Sequence, residues 1–232
     1  MKDYLLFIDT EASNLPKNWS LPYDAPGNWP NCVQVSWVIY TNSGTLIKEE
    51  NHYIKNSDFE IAESAIKIHG ITREFLEAQG ECRKGILQKL RADLEEYDPL
   101  VIGHFMQFDL HLLNADFFRE GLENPIKKAE SFCTMLGSVH LIKNPSIKFL
   151  RLEQLYQTLF QKTLENPHNA MVDAKATAMC FFELLKRKEI NEEIIKQQQK
   201  EESKKEALPP RSGCYIPFLV IFFLTILISH YL

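Results

Sequence analysis

The chain has 232 residues, of which 45% are hydrophobic, 11% aromatic and 25% charged, and its formal net charge is −5. That length suits one domain of ordinary size with room for an appendage, and the composition excludes a disordered, collagen-like or coiled-coil chain. The acidic total argues against a protein that holds nucleic acid mainly through a basic surface.

The charges divide the chain into three unlike segments. Residues 1–185 hold 18 Lys/Arg against 25 Asp/Glu, residues 186–211 hold eight against six, and residues 212–232 hold none. This pattern predicts a globular domain over 1–186, a charged helical stalk with a Pro-containing linker over 187–212, and an apolar segment over 213–232. The five cysteines, at 32, 82, 133, 180 and 214, form no Cys-x-x-Cys pair, which fits reduced thiols better than a disulfide framework. The first residues lack the apolar core of a signal peptide, so the domain is expected on the cytoplasmic side.

In chain order, Tyr4–Ile8 is an apolar run of strand length. Val33–Tyr40 is rich in β-branched and aromatic residues, Asn42-Ser43-Gly44 supplies a turn, and His52–Ile54 is the expected next strand. Glu63–Ile68 reads as a short helix ended by Gly70, and Thr72 caps a second that ends at Gly80. Ile86, Leu87, Leu90 and Leu94 repeat at helical spacing until Asp98-Pro99. Leu100–Gly103 follows as a buried strand, and Leu110, Leu113, Phe117 and Phe118 are expected on one face of the next helix. Leu152–Phe160 and Met171–Leu185 are two further amphipathic helices. Alternation of this kind predicts an α/β domain with a central mixed sheet.

Three segments carry acids at strand ends or helix starts. Asp9 and Glu11 lie two apart at the end of a buried strand and so project from one face. Asp109 opens a helix after the strand and loop Val101–Phe108. His168 and Asp173 stand five apart, and they converge only if His168 sits in the loop shaped by Pro167 and Asp173 in an early helical turn. Each signal is weak by itself, since such acids also serve as caps and solvated strand ends. Together, four carboxylates and a histidine supply what two-metal phosphodiester hydrolysis needs. The acids hold two divalent ions about 4 Å apart, and the imidazole takes a proton from the attacking water near neutral pH.

At these residues the sequence resembles the DEDDh (DnaQ-like) 3′–5′ exonucleases, the superfamily of the proofreading epsilon subunit, ribonuclease T, oligoribonuclease and the TREX repair enzymes. The resemblance spans most of residues 4–186 and covers Phe7-Ile8-Asp9-Thr10-Glu11, Ile68-His69-Gly70-Ile71-Thr72, Gly103-His104 with Phe108-Asp109, Cys133-Thr134, and His168 to Ala174. It implies a ribonuclease H-like fold and a Mg²⁺ cofactor, two ions per site, with Mn²⁺ as a substitute. It further implies that Asp9, Glu11 and Asp173 ligate the metal nearer the nucleophile, that Asp9 bridges to a second held by Asp109, and that His168 acts on the attacking water. Ala12, His69 and Phe108 fall where that family meets the 3′-terminal nucleotide. Two positions depart from its pattern: Asn14 stands where Gly is usual, and Phe105 where Asn is usual. Asn tolerates the left-handed backbone that Gly would supply.

The loop Lys17–Pro30 brings Trp19, Tyr23 and Trp29 beside three prolines, either to stack bases or to pack against one another. Cys214–Leu232 is 19 residues without formal charge, about 28 Å as a helix against a bilayer core of about 30 Å. Lys196, Lys200, Lys204, Lys205 and Arg211 precede it, which by the positive-inside rule keeps the domain cytoplasmic. TREX-type enzymes also carry a C-terminal anchor.

The expected protein is thus a membrane-anchored 3′–5′ exonuclease whose partners are nucleic-acid 3′ ends, with single-stranded DNA favoured over RNA. The alternatives are a 3′–5′ exoribonuclease of the same family and a non-catalytic membrane-bound adaptor that binds nucleic acid.

Overall fold

The computed structural model describes residues 1–55 and 58–206; the apolar run expected as a membrane anchor lies outside the described residues. Met1–Gln199 forms one packed unit. Among the described residues no helix is long and apolar enough to cross a membrane.

Five strands, β1 (Tyr4–Ala12), β2 (Cys32–Thr41), β3 (Leu46–Tyr53), β4 (Leu100–Gly103) and β5 (Ser131–Cys133), form one sheet in the order β3-β2-β1-β4-β5. β1, β2 and β3 make an antiparallel meander, while β4 and β5 run parallel to β1. This is the mixed sheet that the alternation predicts. β1 extends past Ile8 to Ala12, so Asp9 and Glu11 belong to the strand rather than emerge from it. β3 begins at Leu46, directly after the Asn42–Gly44 turn, and not at His52: the hairpin is tight, and the polar run Lys48–Asn51 of this edge strand interrupts the apolar pattern by which a strand is read.

The helices are α1 (Glu63–His69), α2 (Arg73–Gln79), α3 (Arg83–Tyr97), α4 (Met106–Arg119), α5 (Thr134–Gly137), α6 (Leu152–Phe160), α7 (Ala170–Lys186) and α8 (Glu192–Glu206). Gly70 ends α1 in the left-handed conformation at φ 72°, and the Thr72 hydroxyl accepts the Phe75 N–H to cap α2. All four apolar positions read in α3 are buried. The inward face of α4 is rotated from the one expected: Leu113 and Phe117 are buried as read, Leu110 and Phe118 are not. Its buried stripe is Met106, Asp109, Leu112, Leu113, Asp116 and Phe117, whereas Leu110 is half-buried and Phe118 is 53% exposed. Two aspartates sit on that stripe, so a reading confined to apolar residues places its centre too far toward Leu110 and Phe118. β5 and α5 were not anticipated, because three- and four-residue elements are too short to show a period.

Odd-numbered residues of β1 face α7 and the helix behind it. Leu5 and Phe7 join Leu155, Leu159, Ala174, Phe181 and Leu184 in one core, with the Phe7 and Phe181 rings edge to face at 5.5 Å. On the other face, α3 is tied to the sheet by a buried polar link. Trp37 Nε1 donates to Asp93 Oδ2 at 2.8 Å, and Lys48 Nζ donates to Asp93 Oδ1 at 2.8 Å.

The domain's packing also reaches beyond residue 186. Ile190 and Ile195 are buried in the α6–α7 core, and the Gln198 side chain brackets Cys133, accepting from its N–H at 2.6 Å and donating to its carbonyl at 3.2 Å. That amide closes the open edge of β5 as a further strand would. The charged composition of the segment hid these three anchoring residues.

Candidate active site

β1 delivers two carboxylates to one end of the sheet, and helix starts deliver two more. Asp9 and Glu11 share the face that carries Phe7 toward α7. The register between β1 and β2 slips at Glu11/Ala12, a bulge of the kind that re-aims side chains beside sites. Asp109 lies in the first turn of α4, where the Thr10 hydroxyl donates to its Oδ1 at 2.6 Å. Gly103, which ends β4, makes this approach possible: a Cβ there would stand 2.7 Å from Met106 Sδ and 3.4 Å from the Ile8 carbonyl oxygen.

The last pair converges as its spacing requires. His168 precedes α7 with φ 62°, and Asp173 occupies the first turn and a half of that helix. The His168 N–H donates to Asp173 Oδ2 at 3.0 Å. The Asn169 side chain caps α7 by accepting the Met171 and Val172 N–H groups. Gln34, on β2, accepts the Ala170 N–H at 3.2 Å and so clamps the helix start to the sheet. Glu11, His168 and Asp173 bring ligand atoms within 4.8 Å of one another. The His168 side chain stays 48% exposed, with Nε2 3.6 Å from Glu153 Oε1.

The four acids act on each other strongly. Burial raises the Asp9 carboxyl well above its usual range, and the charges of Asp109, Asp173 and Glu11 raise it further. Glu11 is pushed up to about 8 by burial, then by Asp173 and Asp109. Asp109 rises to about 7 through burial, against the hydrogen bonds from Thr10. Asp173 rises to about 7 for the same first reason, opposed by the His168 N–H and reinforced by Glu153. Buried carboxylates so arranged call for a cation of high charge and oxygen preference. Asp173 Oδ1 fits that need, being buried with no hydrogen-bond partner among the described residues. The donor set therefore suits hard divalent ions.

A profile of the exonuclease family matches residues 7–181. The chain belongs to the exonuclease family.

Other likenesses agree with this membership. Over 183 residues the chain is 27% identical to the PolC-type DNA polymerase III of Pediococcus pentosaceus, a match covering 77% of this chain and 11% of that protein. Its fold resembles E. coli exonuclease I in a zinc-bound complex with single-stranded DNA (TM-score 0.64, 18% identity, 81% of this chain and 41% of that one). It also resembles the same enzyme in complex with a dT13 oligonucleotide (TM-score 0.65, 19% identity, 80% and 41%). The chain thus spans less than half the length of these relatives. The mixed sheet with flanking helices is the ribonuclease H-like exonuclease fold.

The three residues expected to meet the terminal nucleotide fall near the four acids. His69 Nδ1 accepts the Ile71 N–H at 3.0 Å, which leaves the proton on Nε2 to donate to the Ala12 carbonyl at 3.3 Å. Burial lowers the His69 pKa, the Ala12 bond raises it and nearby His168 lowers it. Phe108, half-buried, immediately precedes Asp109. Asn14 does not replace a left-handed glycine: it is absent from the positive-φ residues, and its side chain accepts the Leu15 N–H. Gly103-His104 and Cys133-Thr134 meet in one structural lock, with His104 between the Thr134 hydroxyl and the Leu150 carbonyl, each at 3.0 Å. Burial lowers the His104 pKa to about 4 and keeps it neutral.

Thr10, Gln34 and Glu153 were missed by sequence reasoning. Their signals are a hydroxyl between two acids, a glutamine in an apolar strand and an acid in a helix's first turn. All three are common, and only the fold brings them to the site.

Proposed function

We propose that the chain is a Mg²⁺-dependent exonuclease working from 3′ ends, most readily on DNA, and releasing nucleoside monophosphates. One observation carries this reading: Glu11, Asp173 and His168 converge within 4.8 Å, and Asp9 and Asp109 act on the same cluster. Asp9, Glu11 and Asp173 would hold one ion, and Asp9 with Asp109 a second; bound there, the ions supply Lewis-acid stabilisation of the attacking and leaving oxygens.

The chain's own groups do the rest. Thr10 holds the Asp109 carboxylate in one orientation through its hydroxyl. Asn169 and Gln34 fix the turn that presents His168. The exposed His168 ring, beside Glu153, is placed to accept a proton from water at the cluster's edge as a general base.

An end-labelled assay tests the proposal. Full-length protein in mild detergent is given single-stranded DNA or RNA, with Mg²⁺, with Mn²⁺ or with EDTA, beside an Asp9→Ala control. DNA should shorten from its 3′ end only with metal, and the control should be inactive. Faster loss of RNA would move the substrate to the exoribonuclease alternative. No shortening of either polymer, or an active control, would leave the adaptor reading.

The exonuclease is held at a membrane by a single-pass C-terminal anchor, with its catalytic domain in the cytoplasm. The uncharged run Cys214–Leu232 supports this, together with the basic residues from Lys196 to Arg211 before it. After alkaline carbonate extraction the full chain should stay with the membrane pellet, and release into the supernatant would refute the anchor.

A further inference from the structure

The two acids of β1 have polar neighbours across the sheet. On β2, Ser36 stands directly opposite Asp9 and Gln34 opposite Glu11, and cross-strand partners share a face. Both are fully buried. On β3, Asn51 stands opposite Ser36 and carries the polar row to the exposed edge of the sheet. Val38, two residues beyond Ser36 on the same face of β2, joins the apolar core with Phe7 and Phe181. Apolar side chains at 34 and 36 would fill that face at less cost, because a buried amide or hydroxyl must be given partners.

Those partners form one chain of hydrogen bonds. The Ala170 N–H is a donor only, so it holds Oε1 of Gln34 at 3.2 Å and turns Nε2 the other way. Nε2 then needs an acceptor. Asn51 Oδ1 supplies a close one at 2.9 Å, while Asn169 Oδ1 lies at 3.5 Å and already accepts the Met171 and Val172 N–H groups. The Ser36 hydroxyl donates to the same Asn51 oxygen at 2.8 Å and keeps it turned toward Gln34. Asn51 thus makes the short bond that sets the Gln34 amide, and Gln34 holds Ala170, the first residue of α7. Ala170 lies two residues after His168 and three before Asp173. The row is uncharged, so it fixes the helix start beside four acids without adding to their repulsion.

We propose that Asn51, on the edge strand, is a positioning residue for the reaction: through Gln34 it sets the turn that carries His168 and Asp173. Its effect on rate rests on the exonuclease reading of the acids; its effect on the turn does not. Asn51 reaches the site only through Gln34 and touches no reacting atom. The route runs across three strands of the sheet, so a change at its outer edge is felt at the start of α7.

Two measurements on the full-length protein in mild detergent test this. In EDTA, the Ala170 amide should exchange its hydrogen about fivefold faster in Asn51→Ala than in the unaltered protein, with the β1 amides unchanged. With Mg²⁺ and end-labelled single-stranded DNA, Asn51→Ala should lower kcat about fivefold and leave KM within about twofold. Asn51→Asp, which keeps an oxygen for both donors, should recover the protection and most of kcat. In a Gln34→Ala background the route is already cut, so Asn51→Ala should lower kcat no further. Unchanged protection of Ala170, unchanged kcat despite lost protection, or additive losses in the double variant would each overturn the proposal. Absence of cleavage by the unaltered protein would refute the exonuclease reading and the effect on rate with it, and the exchange measurement would still decide whether Asn51 sets the turn.

Discussion

α4 carries two buried aspartates seven residues apart on one face, and they live in opposite surroundings. Asp109 faces Asp9 and Asp173 and receives one hydroxyl, from Thr10. Asp116, fully buried, is paired with Arg119 and lies 3.5 Å from Arg83 Nε. Burial raises both carboxyls, but the two guanidiniums pull Asp116 back down. An acid with its counter-charge built into the chain belongs to the scaffold; an acid facing only other acids is complete when a cation arrives from solution. The contrast separates the two roles without reference to position along the helix.

Exchanging charge for amide at the two kinds of acid should break different properties. Asp173→Asn should lower kcat on single-stranded DNA by about 10³-fold or more, since the metal's several kcal/mol of stabilisation depends on that ligand. Measured in EDTA, the same variant should melt no lower than the unaltered protein, because one of four repelling groups has gone. Asp116→Asn should behave the other way round. It leaves two arginines short of a charge inside the fold, at about 3–5 kcal/mol, which for a domain of this size lowers the melting temperature by about 10 °C. Its kcat at 20 °C should stay within tenfold. Loss of activity in Asp116→Asn without loss of stability would erase the distinction.

The same contrast predicts how stability moves with pH. Glu11, Asp109 and Asp173 have folded pKa values of about 8, 7 and 7, against ordinary values near 4. Groups raised on folding favour the folded state at low pH and forfeit that advantage as pH climbs from about 4 to about 8. In EDTA, the melting temperature should therefore fall by at least about 4 °C between pH 6 and pH 8.5. Added Mg²⁺ should abolish the decline, because bound cations favour the ionised acids. A flat profile in EDTA would mean that the four carboxylates do not share one buried cluster.

The acids of the candidate site were legible in the sequence in combination, since each segment alone also fits a cap or a solvated strand end. Asp9-x-Glu11 needed only the two-residue period of a strand, and His168 with Asp173 needed only a loop-to-helix boundary, which Pro167 and Asn169 announce. The scaffold acids were not legible. Asp116 and Asp93 sit among apolar helix positions, and their partners Arg83, Arg119, Trp37 and Lys48 lie 3 to 56 residues away along the chain. Only Asp116 and Arg119 are helical neighbours, three residues apart; no local period links the other pairs. On α4 the inward stripe includes Asp109 and Asp116, which an apolar pattern does not show, so Phe118 falls outside it. The C-terminal part of the domain was obscured by composition: Ile190, Ile195 and Gln198 are three anchors in a run of charge.

Asp93 offers a smaller test of the scaffold side. Trp37→Phe removes the donor at 2.8 Å from Asp93 Oδ2 and leaves a buried carboxylate oxygen without it. The expected cost is about 1–3 kcal/mol, or roughly 5 °C in melting temperature, with kcat unchanged. A change in kcat would show that the α3 side of the sheet communicates with the acids.

The smallest expected effect lies where the two kinds of interaction meet. Asn169 is part of the scaffold by chemistry, accepting the Met171 and Val172 N–H groups, yet it adjoins His168 and begins the helix that carries Asp173. Asn169→Ala removes the cap at about 1 kcal/mol, or about 3 °C in melting temperature. The turn is also held by the Gln34 bond to Ala170 and by the His168 N–H on Asp173, so it should loosen without collapsing. A looser turn costs orientation of His168, and kcat should fall severalfold with KM little changed. Asn169→Ser, which restores a capping oxygen, should recover most of both losses. Recovery of stability without recovery of kcat would assign Asn169 a direct part in the chemistry and move it from the scaffold to the site.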